Sequence, residues 1–234
     1  MNRLKKCVLL FCLLTIQQTI VFAQQSLNKN WWILPSTLVG LGIVSSSQGI
    51  KDFQADVYAH SFTGFHTNAD DFLQYTPTLL NIGLSVANPN PQTRNAKIGR
   101  FVIGTITYAV ITQGLKRTLD LNRPNGAEHS FPSGHSATAF FGAHMLAKEC
   151  GAEKPWIVYA GYGLATTTGM LRMANNQHWL SDVLVGAGIG ISAAELSYYL
   201  YPKLADTWNK KHAFQVNPII GNQFYALQMN ISLN

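Results

Sequence analysis

Apolar stretches succeed one another along this chain, separated by short polar breaks. They cover 31–48, 72–88, 101–115, 134–147, 155–171 and 183–201. Most are shorter than the roughly 20 apolar residues that comfortably span a bilayer. Small residues interrupt them: "GLG" at 40–42, "GYG" at 161–163, and Gly186 and Gly190 spaced as GxxxG. In lipid that spacing lets two helices approach closely, and in water it packs a tight soluble bundle. Trp31, Trp32, Trp156, Tyr198, Tyr199 and Tyr201 stand at segment ends, where an interfacial aromatic belt would lie. The pattern predicts an all-α helical bundle over 24–212, a polytopic membrane protein with about five to six core helices.

The tail has another period. Tyr225, Leu227, Met229, Ile231 and Leu233 alternate with Ala226, Gln228, Asn230 and Ser232. A period of two predicts a strand, and "FQVNPII" before "GN" offers its partner. Residues 213–234 are therefore expected to form a short β-hairpin or strand.

The first residues read as an address. Arg3, Lys5 and Lys6 precede the apolar run "CVLLFCLLTIQQTIVFA", and Val21 and Ala23 are small residues suited to cleavage before Gln24. Residues 1–23 thus form a secretory signal sequence, either removed or kept as an anchor. The polar connection "NPNPQTRNAKI" carries Arg94 and Lys97. With Arg100, Lys51, Lys148 and Lys154 it favours the cytoplasmic side. The loops at 117–132 and 172–181 then face the periplasm, across the inner membrane of a bacterial envelope. Strict alternation of every segment after a cleaved signal would reverse this. Segment 72–88, with Pro77 and several polar residues, is therefore read as interfacial or re-entrant.

Composition narrows the class. Charged residues make up 12% of the 234, about half the roughly 25% usual in soluble domains. The net charge is +6, three of it in the signal. The other basic residues are scattered, without the clustered footprint of a nucleic-acid binder. Cys7 and Cys12 lie in the signal, which leaves Cys150. No internal disulfide and no cysteine metal cluster is expected.

Three clusters carry candidate chemistry: "KRTLDLNRP" with Lys116 and Arg123, "FPSGH" with Ser133, Gly134 and His135, and "RMANNQHWLSD" with Arg172, His178 and Asp182. Singly, each has a structural explanation. Lys116 and Arg123 can flank a membrane helix, Ser133 can cap one, and Asp182 can sit in a first turn favoured by the helix dipole. Together they are chemically complementary. Three cations suit one phosphate dianion, and arginine's planar fork matches its oxygens. Gly134 allows close backbone approach at a helix start, where amides point at an anion. His178 and Asp182, at i and i+4, share one helix face. The aspartate can accept from one imidazole nitrogen and leave the other to attack, while His135 is suited to protonate a leaving oxygen.

These motifs resemble the type 2 phosphatidic acid phosphatase superfamily, which includes lipid phosphate phosphatases, class A acid phosphatases and vanadium haloperoxidases. Its pattern is Lys-x6-Arg-Pro, Pro-Ser-Gly-His and Ser-Arg-x5-His-x3-Asp. All three spacings match over 101–201; one departure is Leu171, where the family often has serine. The resemblance implies His178 as nucleophile, Asp182 as its orienting partner and His135 as general acid. Lys116, Arg123, Ser133, Gly134 and Arg172 would hold the phosphate, with no metal and no cofactor. "DDFLQYTP" at 70–77 and "NNQHWLSDVLVGAGIG" further resemble envelope phosphatases acting on lipid A, the 4′-phosphatases among them. The implied activity is hydrolysis of a lipid A phosphate in the bilayer. Phosphatidylglycerophosphate, phosphatidate and undecaprenyl diphosphate are alternative substrates. A soluble periplasmic acid phosphatase and a non-enzymatic lipid-binding protein are alternative functions. Of the other histidines, His129 lies in the loop between motifs, and His144 is expected to be packed in the core. Oligomeric state leaves no mark in the sequence.

Overall fold

The computed structural model describes residues 30–86, 91–151, 154–211, 213–220 and 225–232, with side chains described up to 206 apart from a few positions around 85–92. The signal sequence assigned to 1–23 lies outside the described residues. The body is helical: α1 (Ile33–Val44), α2 (Gln48–Ser61), α3 (Ala69–Leu73), α4 (Thr76–Val86), α5 (Pro91–Leu119), α6 (Gly134–Cys150), α7 (Pro155–Ala174) and α8 (Leu180–Lys211). At the end of the chain β1 (Ala213–Ile220) pairs antiparallel with β2 (Tyr225–Ser232), Ala213 opposite Ser232.

The centre of the bundle is α6, wrapped by α4, α5, α7 and α8. Phe140, Ala143, Ala147, Val158, Tyr162, Ala165, Ala187 and Ile191 form the main core, with Leu34 and Leu38 of α1 closing it from the other side of α8. Phe141, Met145, Ala193 and Ala194 form a second core against Phe101 and Tyr108 of α5. The GxxxG pair does what its spacing suggests. A Cβ on Gly186 would collide with the Ser133 carbonyl, and one on Gly190 with the Ala137 carbonyl and the Phe141 amide. Bare glycines thus let the α8 backbone rest on that of α6.

Two described helices are long and apolar enough to cross a membrane, over Thr93–Leu119 and Leu180–Asp206. The α1–α2 pair, bent by 85°, makes a third if it is one broken span. The packed body uses six of the described helices, α1 and α4 to α8, in line with the five to six core helices the apolar segments predict, but fewer of them are long and apolar enough to span. Length is one reason: α6 has 17 residues and α4 only 11, whereas α8 is long enough although 67% of its apolar window is buried. At about 1.5 Å per residue α4 covers roughly half a hydrocarbon core. The helix α5 is peripheral: Val102, Ile106 and Val110, four apart on one face, are exposed, a stripe suited to lipid.

Candidate active site

Four helix ends meet at one end of the bundle: the C-termini of α5 and α7 and the N-termini of α6 and α8. Each motif sits at one of these ends because a polar loop must leave the apolar body there. The opposite end carries a separate buried network. There Glu149 meets Lys97 at 2.9 Å, and Glu195 meets Lys148 at 2.9 Å. His144 packs into that second network, Nδ1 2.5 Å from the Tyr162 hydroxyl and Nε2 2.7 Å from Glu195, so it is a core histidine as expected.

The His178–Asp182 pair forms as the i, i+4 spacing requires. His178 Nδ1 lies 3.2 Å from Asp182 Oδ2, and both residues are 2% exposed. A carboxylate can only accept, so the proton sits on Nδ1 and Nε2 is left with its lone pair. Asp182 is a buried charge, and donors offset the cost of burying it. Oδ2 also accepts from the Ser130 hydroxyl and from the Trp179 amide at 2.9 Å, while Oδ1 accepts from Ser181 Oγ at 3.3 Å. The Asp182 carbonyl takes the Ser133 amide at 3.0 Å, which ties the "PSGH" turn to the start of α8. On the far side Gln54 of α2 clamps the "HWL" backbone, donating to the His178 carbonyl at 3.0 Å and accepting the Leu180 amide at 2.8 Å.

Burial pushes the His178 imidazole down to about 4; the hydrogen bond to Asp182 opposes this, and Arg172 and Lys116 nearby add to it. The ring is therefore neutral at ordinary pH, as a nucleophile must be. A stability consequence follows. An unfolded histidine titrates near 6.5 and the folded one near 4, so acid protonates the unfolded chain first. The contribution of the neutral ring is whole above pH 6.5 and is lost as pH falls toward 4. His178→Gln lacks this dependence. In detergent, wild type is expected to lose thermal midpoint relative to the variant across that window; parallel curves would contradict a buried neutral ring.

The cations come from three segments. Lys116 Nζ, at the end of α5, donates to the His129 carbonyl at 2.7 Å and approaches the Ser130 carbonyl at 3.4 Å. Arg123 Nη1, in the loop, donates to Gln177 Oε1 at 2.7 Å. Arg172, 9% exposed near the end of α7, donates through Nη1 to Asp70 Oδ2 at 2.8 Å. The Nε atoms of both Arg123 and Arg172 are buried with no protein acceptor among the described residues. Buried donors in that state call for an acceptor, and a phosphate oxygen is one.

Ser133 and Gly134 open α6. Ser133 is its N-cap, accepting the Ser136 amide at 3.3 Å, and is fully buried. Nothing lies within 4 Å of where a Gly134 side chain would project, so the helix start is open on that side. His135 follows, a quarter exposed, with Nε2 2.8 Å from Asp71 Oδ1. His129 is turned to the loop instead: Nδ1 lies 3.0 Å from Asp120 and 3.2 Å from the Lys116 carbonyl.

The sequence reading missed the acidic pair. Asp70 and Asp71 sit on the short α3, far earlier in the chain, and meet Arg172 and His135. Asn175 Nδ2 also donates to Asp70, at 3.0 Å. "DDFLQYTP" had stood out for its resemblance alone. Two adjacent aspartates on an otherwise apolar segment, one of them buried, were the physical signal. Asp70, Asp71 and His135 present ligand atoms within 4.8 Å of one another, yet the Arg172 guanidinium already supplies the positive charge there, which disfavours a metal ion. Ser130, Gln177 and Gln54 were missed too, since they occupy unspecified positions between or outside the motifs.

Beside the dyad lies a cavity of about 150 Å³ walled by Ile43, Leu119, Leu121, Phe131 and Trp179, with Ser46, Lys51, Ser181 and Asp182 at its polar edge. A mostly apolar alcove therefore adjoins a cationic, nucleophilic site.

The profile of the PAP2 superfamily matches residues 82–206, more than half of the chain. The lipid A 1-phosphatase of Porphyromonas gingivalis is 37% identical over 147 residues, 59% of this chain and 33% of that protein. The chain thus spans about a third of the length of the curated relative it matches. Among solved structures, Aquifex aeolicus LpxE is similar with a TM-score of 0.48 and 24% identity, over 62% of this chain and 93% of that one. The first transmembrane PAP2 type phosphatidylglycerolphosphate phosphatase from Bacillus subtilis has a TM-score of 0.48 and 18% identity, over 73% of this chain and 97% of that one. The matched segment carries all three motifs, and the fold draws their side chains to one end of the bundle: this chain belongs to the PAP2 superfamily.

Proposed function

We propose that this protein is a metal-independent phosphoric monoester hydrolase that removes a phosphate from a membrane lipid, lipid A, through a phosphohistidine. The observation that carries the reading is the buried His178–Asp182 pair, its Nε2 lone pair uncommitted, at a helix-end junction where three cations converge. His178 attacks phosphorus, Asp182 holds the imidazolium that forms, and His135 protonates the leaving oxygen. Lys116, Arg123, Arg172 and the α6 amides from Gly134 onward hold the phosphoryl oxygens, which gather charge in the transition state. Ser133 supports that turn and lends its hydroxyl to the same site. The apolar alcove beside the dyad suits an amphiphilic substrate.

The relative from Porphyromonas gingivalis is named for the 1-phosphate of lipid A, and that name supports lipid A and the 1-position over the 4′-position. Mass spectrometry of lipid A and phospholipids, from cells with and without the protein, tests the reading. Lipid A lacking one phosphate only in cells that hold the protein is the expected result. An unchanged lipid A beside an altered phospholipid would replace the substrate, and no change in either would sink the lipid phosphatase reading.

The site faces the periplasm in this reading. Arg94, Lys97, Arg100 and Lys148 lie at the opposite end of the bundle from His178, which supports this side by the positive-inside rule. Lys51, grouped with them from the sequence, lies instead at the site end, 5.5 Å from the Trp179 ring, because α2 folds back over the start of α8. The exposed Glu128 in the site loop is the reporter. With the native cysteines replaced, Glu128→Cys is expected to react with an impermeant maleimide in intact spheroplasts. Reaction only after lysis would reverse the orientation.

A further inference from the structure

His135 is held from outside its own motif. Its Nε2 lies 2.8 Å from Asp71 Oδ1, 64 residues earlier on α3. The same carboxylate oxygen lies 3.9 Å from Arg172 Nη1. A carboxylate here is costly for a phosphate site, since like charges at such distances repel. Asp70 explains itself by neutralising a buried arginine; Asp71, whose side chain is 53% exposed, does not. The two histidines are also gripped in opposite senses. Asp182 takes Nδ1 of His178 and leaves Nε2 available, whereas Asp71 takes Nε2 of His135 and leaves Nδ1 available.

We infer that Asp71 is a positioning residue for His135: its carboxylate holds the ring through Nε2, so that Nδ1 carries the proton delivered to the leaving ester oxygen. The inference rests on the phosphatase reading. In the first step His178 Nε2 bonds to phosphorus and the ester P–O bond breaks. The ester oxygen leaves with the electron pair and takes the Nδ1 proton. His135 is then neutral, its Nε2–H still donated to Asp71. In the second step His135 Nδ1 takes a proton from water as the water oxygen bonds to phosphorus. The P–N bond breaks and its electron pair returns to His178.

The surroundings give Asp71 a task. Burial and the neighbouring Arg172 push the His135 imidazole down, toward losing its proton, and Asp71 and Asp70 oppose them. The other titratable groups around the start of α6 are Tyr75 between α3 and α4, Tyr108 and Lys116 on α5, Arg123 in the loop after it, Asp182 on α8 and His178 just before it. Asp71 is the carboxylate in hydrogen-bond contact with the ring.

The test separates protonation of the leaving group from folding. Full-length protein in detergent micelles is assayed on a long-chain alkyl phosphate, whose alkoxide leaves poorly, and on p-nitrophenyl phosphate, whose phenolate leaves without help. Asp71→Asn is expected to lower kcat/KM, which reports the steps through P–O cleavage and not the water step the two esters share, about tenfold to a hundredfold on the alkyl ester, within the range a general acid contributes, and to change kcat/KM on the aryl ester little. The alkaline limb of the alkyl profile moves to lower pH. Asp71→Glu recovers part of both, and carries the comparison should Asp71→Asn fold poorly. Equal losses on the two esters would reduce Asp71 to a structural role. A lower KM with unchanged leaving-group dependence would make it a competitor of the phosphate, which also overturns the inference. Wild-type protein inactive on both esters, with lipids unaltered in cells, would remove the phosphatase reading and this inference with it.

Discussion

His178→Gln is expected to be nearly inactive, with kcat lower by several orders of magnitude, while still binding the phosphorylated lipid. Glutamine cannot form the P–N bond, but Lys116, Arg123 and Arg172 come from other segments and remain to hold the phosphate. Loss of a group that acts only in the transition state lowers kcat and spares binding. The Asp182 network also survives: Ser130, Trp179 and Ser181 still donate to its carboxylate. Asp182→Asn is expected to be less severe, because that residue orients the nucleophile and makes no bond to phosphorus. Rapid quenching without acid, using substrate labelled in the phosphoryl group, should place the label on the peptide containing His178. Label on a serine or aspartate, or full activity in His178→Gln, would refute the assignment.

Asp70→Ala is expected to cost about 3–5 kcal/mol of stability, the usual result of removing one partner from a buried ion pair. Asp70 is 1% exposed and Arg172 9%, so water cannot stand in for the lost carboxylate. The cost comes less from the lost attraction than from leaving a buried guanidinium with only the half-exposed Asp71, 3.9 Å away, as counter-charge. A double variant, Asp70→Leu with Arg172→Met, should therefore recover much of the stability, although it removes a phosphate ligand and should be inactive. Thermal midpoints in detergent for the wild type, both single variants and the double variant decide it. Four additive midpoints, or an Asp70→Ala protein within experimental error of wild type, would show that the two residues do not depend on each other.

The sequence alone determined those features whose partners lie within a few residues. His178 and Asp182 meet because a helical turn brings i and i+4 together. Ser133 caps α6 because its hydroxyl reaches the amide three residues on. Gly186 and Gly190 share a face because four residues make about one turn, and the bare face they leave is where α6 rests. Chemical complementarity also made it legible that Lys116, Arg123 and Arg172 belong with the histidines, since one dianion needs them together. Tertiary structure decided the rest. Asp70 finds Arg172 across 102 residues and Asp71 finds His135 across 64, and no period or spacing encodes a contact made only when α3 packs on α6 and α7. Ser130 reaches Asp182 only because the loop after α5 folds back over the start of α8. The same limit hides which apolar runs meet lipid. An apolar run reads alike whether it faces lipid or another helix, and only packing shows that α6 is enclosed by its neighbours while α5 turns Val102, Ile106 and Val110 outward.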